Sequence, residues 1–146
     1  MLAPPSGAAP INCGETALRT LFVAAAALLG LIGVAFGAFG AHALKAVISG
    51  DHLEVWKTAV SYQLYHTPVL LALALLLGTD FSRRLIVAAG LCMIVGAVIF
   101  SASLYGLVWF NAPRLGMVTP LGGALLMLGW LLLLLAALKQ LGRDTH

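Results

Sequence analysis

Of the four imidazoles in this 146-residue sequence, His42 and His66 are the candidates to bind a metal, hold a haem iron or relay a proton. They belong to a small polar set with Trp56, Tyr62, Gln63, Ser101, Ser103, Tyr105 and Thr119, in a chain that is 62% hydrophobic and only 9% charged. His52, Trp56, Ala59, Gln63 and His66 recur at i, i+4, i+7, i+11 and i+14. On one helix this spacing collects them in an arc of about 80°. Tyr62 borders the stripe. Polar groups facing lipid tails cost free energy, so the stripe is expected to face other helices.

Other chemistries lack their residues. There is no H-x-x-x-H or H-E-x-x-H spacing, and the apolar segments hold no carboxylate to complete a metal site. No metal site is therefore expected, and the cofactor is left unknown. GLIGVAFGAFG is glycine-rich, but it lies within an apolar segment rather than between a strand and a helix, so it is not a phosphate loop. No nucleophile–base pair follows from spacing, and the expectation is a chain that is not an enzyme.

The elements that must position these residues are membrane spans. Soluble domains average about 25% charged residues, and a chain this apolar has too little polar surface to cover a core in water. A spanning helix needs about 20 apolar residues. The pattern predicts an all-α, integral membrane four-helix bundle over residues 17–139, with spans at 18–42, 59–78, 85–110 and 117–138. Residues 1–16, rich in Ala, Pro and Gly, read as a flexible tail, and residues 140–146 as a second tail. Asp51 is the expected N-cap of a helix entering the second span, with Glu54 completing a capping box. Pro68 is expected to kink that helix. Its strictly apolar part, residues 69–77, is too short to cross alone, so the polar stretch from Ala59 onward must lie at membrane depth.

Four antiparallel spans bring their polar ends to one side. His42 ends the first, Tyr62, Gln63 and His66 begin the second, Ser101, Ser103 and Tyr105 end the third, and Thr119 begins the fourth. Arg19, Arg83, Arg84, Lys139 and Arg143 fall on the side of the termini, against Lys45, Lys57 and Arg114 on the other. The excess predicts a bacterial inner-membrane protein with both termini in the cytoplasm, which puts the polar cluster in the outer leaflet. The scattered charges speak for orientation and not for nucleic acid. Cys13 and Cys92 form no recognisable pairing pattern.

Glycines mark the packing faces. Gly30, Gly33, Gly37 and Gly40 share an arc of about 80° on the first helix. Gly122, Gly123 and Gly129 recur on the fourth span. Small residues on one face let helices approach closely. Two functional readings stand. One is a non-enzymatic accessory or assembly partner of a membrane complex, or a homo-oligomer. The other is a small-molecule, ion or proton site, for a quinone, lipid or haem, around His42 and His66. The bilayer is a partner in both.

Four strings occur in order: GAFGAHAL (residues 37–44), W-x5-YQ-x2-H (56–66), FSASLY (100–105), and TPLGG from Thr119 followed by GW ending at Trp130. Together they resemble the YgdD/YwdK-like small inner-membrane proteins of unknown function, which have eukaryotic transmembrane relatives. The resemblance covers about residues 18–138. It implies four membrane spans and supplies no activity. The matching positions are largely the polar span ends and their glycines, with Pro120 and Trp130 added. Ala102 departs from the family's FSGSLY.

Overall fold

The computed structural model describes residues 13–144. It contains four long helices: α1 (Cys13–His42), α2 (Gly50–Leu76), α3 (Arg83–Phe110) and α4 (Thr119–Asp144). Short 3₁₀ turns at Leu44–Ala46 and Pro113–Met117 lie in the first and third connections. With 30, 27, 28 and 26 residues, each helix is about 40 Å or longer. That exceeds the roughly 30 Å hydrocarbon thickness of a bilayer. All four are apolar enough to cross a membrane.

The helices overrun the predicted spans at their termini. α1 begins at Cys13, so Cys13–Thr16 of the expected tail are helical, and the tail proper, residues 1–12, lies outside the described residues. α4 runs on to Asp144, well past the predicted span end at 138. α2 begins at Gly50, nine residues before its predicted span.

Local chemistry accounts for the ends. Ser49, not Asp51, caps α2: its hydroxyl oxygen accepts the His52 backbone N–H at 3.3 Å. Asp51 falls in the first turn, where a carboxylate still favours the helix dipole. Glu54 does not close a capping box; it pairs with Lys57 at 2.7 Å. α2 stays helical through Pro68 and ends at Leu76, and the chain turns away at Gly78, whose φ of +85° suits glycine. α3 ends at Asn111 in the left-handed region (φ 49°), a conformation Asn tolerates better than most residues, and Pro113 follows.

Each helix packs on its chain neighbours. α1 and α3 also meet where Phe22 lies over Gly90, while the backbones of α1 and α4 stay apart among the described residues. The α1–α2 register is read from the glycines. Gly40 faces Trp56, Gly37 faces Val60, Gly33 faces Leu64 and Gly30 faces Thr67. The α3–α4 contact is closer still. A Cβ on Gly96 would meet the Leu126 nitrogen at 2.9 Å, and one on Gly122 would meet the Phe100 nitrogen at 2.5 Å. On the side of the termini, Arg19 pairs with Glu15 and donates to the Leu77 carbonyl, and Arg143 donates to the Asp80 carbonyl at 3.0 Å. These contacts tie α1 and α4 to the α2–α3 connection.

Candidate functional site

The stripe on α2 turns inward: Trp56, Ala59, Gln63 and His66 are buried, and His52 at its start is half-buried. Each buried polar member reaches a neighbouring helix. The Trp56 indole N–H donates to the Phe36 carbonyl at 2.8 Å, in the space that Gly40 leaves open. Gln63, only 2% exposed, joins three helices. Its Nε2 donates to the Leu29 carbonyl on α1 at 2.7 Å, and its Oε1 accepts the Tyr105 hydroxyl of α3 at 3.1 Å. A carbonyl can only accept, so this amide orientation is the one that satisfies both ends.

α3 adds two serines. Ser101 donates to the Ala59 carbonyl at 2.9 Å. Ser103 bonds the Phe100 carbonyl at 2.9 Å and the Thr119 hydroxyl at 2.8 Å, linking α3 to the start of α4. Tyr62 does not join this network. It is 41% exposed and stacks on Phe100 with ring centroids 4.4 Å apart.

His66 has both ring nitrogens engaged. Its Nε2 lies 3.2 Å from the Trp130 indole nitrogen, which can only donate. Nε2 is therefore the acceptor, and Nδ1 carries the proton that it donates to the Tyr62 carbonyl at 2.7 Å. This is the neutral imidazole in a single tautomer. A metal or haem iron at Nε2 would have to displace Trp130.

The two histidines do not come together. His42 is exposed in the last turn of α1, two residues beyond the glycine that faces Trp56. His66 lies ten residues further along α2 than Trp56, about 15 Å along the helix axis. It sits beside the Gly30–Gly33 level, the middle of α1, and its partner Trp130 is in the middle of α4. The polar network therefore extends from the end of the bundle that carries the first and third connections to the middle of α1 and α4. Among the described residues, no three His, Cys, Asp or Glu side chains gather to hold a metal ion.

Beside this network, open to the outside of the bundle between α1 and α3, is a groove of about 700 Å³. Its walls are the rings of Phe36, Phe39, Trp56, Tyr105, Trp109 and Phe110, over a floor that includes Ala102 and Gly106. Ala102 is exposed there, so its methyl narrows the groove rather than holding two helices apart.

Trp130 and the aromatic groove are the features that sequence reasoning left out of the candidate pocket. A signal for Trp130 existed. Tryptophan favours membrane interfaces, and one in the middle of a leucine-rich span needs a partner for its N–H. The groove had no such signal, because its rings come from three helices.

Fold and network together define a multi-pass helical membrane protein whose spans are joined through a buried polar seam. The chain belongs to the family described as "Protein of unknown function (DUF423)", which matches residues 36–123. A UPF0382 membrane protein of Staphylococcus aureus (strain bovine RF122 / ET3-1) is 40% identical over 122 residues, covering 84% of this chain and 98% of that protein. The UPF0382 membrane protein YwdK of Bacillus subtilis (strain 168) is 38% identical over 121 residues, covering 83% and 98%. The resemblance carried by the four strings thus holds over nearly the whole length of these relatives. No solved structure matches the chain.

Proposed function

We propose that this chain is a non-enzymatic component of the bacterial inner membrane, acting as an accessory or assembly partner of a membrane complex or as a homo-oligomer. The observation that carries this reading is the engagement of the polar atoms. Gln63 is bonded at both ends of its amide and His66 at both ring nitrogens, each to a neighbour within the bundle. Groups held this way contribute to helix association, at about 0.6 kcal/mol each on average. A general base or a proton relay needs a nitrogen free to exchange its proton, and a haem site needs one free to ligate.

The glycine faces do not supply the association surface, because Gly33, Gly40, Gly96, Gly122 and Gly129 are filled by side chains or backbone of the same chain. The outward face of α4, with Leu128, Leu131 and Leu135 exposed, is a surface open to a partner. A photo-crosslinking residue at Leu131, activated in intact membranes, is expected to give a discrete protein adduct, either with a second copy or with one partner. Lipid adducts alone would overturn the reading.

Orientation rests on the five basic residues at the terminal side against three at the other. A reporter fused after His146 is expected to be active in the cytoplasm and silent outside it. The opposite result would reverse the assignment.

A further inference from the structure

We propose that the groove between α1 and α3 holds an acyl chain of an anionic phospholipid, whose phosphate lies between Lys45 and Arg114. This does not rest on the accessory role, since lipid selection and protein association are separate properties with separate readouts.

The walls select for hydrocarbon. A volume of about 700 Å³ is within the range of ligand-holding pockets. Of the wall groups able to hydrogen-bond, the Trp56 N–H is engaged by the Phe36 carbonyl and the Tyr105 hydroxyl by Gln63. Only Trp109, one residue from the end of α3, carries a further N–H, and that end is the interfacial one. A quinone ring or a haem propionate deeper in the groove would find no side-chain donor beyond Trp109, whereas an alkyl chain needs none.

The lining is continuous. Phe36 and Tyr105 touch edge to face, with ring centroids 4.8 Å apart, and Phe39 and Trp109 are 6.0 Å apart. These contacts join α1 to α3 and give the groove an aromatic surface against which an acyl chain can lie.

Charge at the mouth names the headgroup. Lys45 follows α1, next to Leu44, which packs in the same cluster as Trp56. Arg114 follows α3, next to Leu115, whose methyl would lie 2.9 Å from a Cβ on the groove residue Gly106. Both cations are exposed, and among the described residues neither is in an ion pair. The other charges on this side are Lys57, which is paired with Glu54, and Asp51 in the first turn of α2. Two unpaired cations flanking a hydrocarbon groove complement one anionic phosphate above one tail. Basic groups near a membrane surface favour anionic lipid by this means.

The test is native mass spectrometry of the full chain released from nanodiscs of equimolar phosphatidylglycerol and phosphatidylcholine. The expected result is one retained phosphatidylglycerol, preferred on the order of tenfold. Lys45→Gln with Arg114→Gln should bring the preference to parity without unfolding the protein, because both side chains are exposed. Ala102→Phe should reduce retention of both lipids by filling the groove. If Ala102→Phe does not fold, the double charge variant still decides. Equal retention of the two lipids by the unaltered chain would overturn the proposal. So would a preference that survives the double variant, or a lipid-free dimer.

Discussion

Gln63→Glu is expected to destabilise the bundle by about 3 kcal/mol, close to the cost of placing an acidic side chain at the centre of a transmembrane helix. The reason lies in the two bonds that the amide makes. Nε2 donates to the Leu29 carbonyl at 2.7 Å, and a carboxylate oxygen in its place would set two acceptors against each other. Ionisation adds a charge at a site that is 2% exposed. Protonation removes the charge and lets the acid donate to Leu29 and accept from Tyr105, so the cost becomes that of keeping a carboxyl protonated at neutral pH, about 1.4 kcal/mol for each pH unit above its ordinary value. Gln63→Leu separates these contributions. It carries no charge and roughly preserves volume, so it should cost only the lost hydrogen bonds, about 1–2 kcal/mol. Reversible unfolding by SDS titration in mixed micelles, followed by helical circular dichroism, measures both. A glutamate variant no worse than the leucine one would show that charge burial is not the dominant penalty here.

The second large effect is at the α3–α4 crossing. Gly122→Ala should destabilise by about 1–3 kcal/mol, the usual cost of overpacking a tight contact. The added Cβ would lie 2.5 Å from the Phe100 nitrogen and 2.8 Å from its Cα, and backbone atoms cannot rotate away. The helices would have to separate, which also weakens the approach of Gly96 to the Leu126 nitrogen and the Gly122 carbonyl. Gly123→Ala is the matched control. Its Cβ would be 3.8 Å from the Phe100 ring, an ordinary contact. There the better helix propensity of alanine acts alone, for a gain of up to about 1 kcal/mol. Adjacent glycines should therefore respond with opposite sign in the same unfolding assay. Equal responses would mean that the two helices do not meet at Gly122.

The pair also shows what could be read along the chain. Both glycines were legible as packing positions, because small residues recur where membrane helices pack. Which one touches backbone was not legible, because it depends on the crossing with α3. Ser49 makes the same point locally. Asp51 and Ser49 are both competent caps, and the choice fell to the residue where the chain changes from extended to helical.

Four spans, their alternating directions and the inward stripe of Trp56, Gln63 and His66 were determined by the sequence itself. Hydrophobic length decides how many helices cross, and a 3.6-residue period decides which side chains share a face. The tertiary structure alone decided depth and partnership. Each turn by which one helix slides past another moves every contact by about 5.4 Å, and periodicity carries no information about that slide. The register in which Gly33 faces Leu64 set His66 beside the middle of α1 and apart from His42. The α2–α4 arrangement set it against Trp130, 64 residues away. The glycine faces that looked available to a partner are occupied within the chain. The aromatic groove exists only because α1, α2 and α3 bring rings to one place that no single helix could have announced.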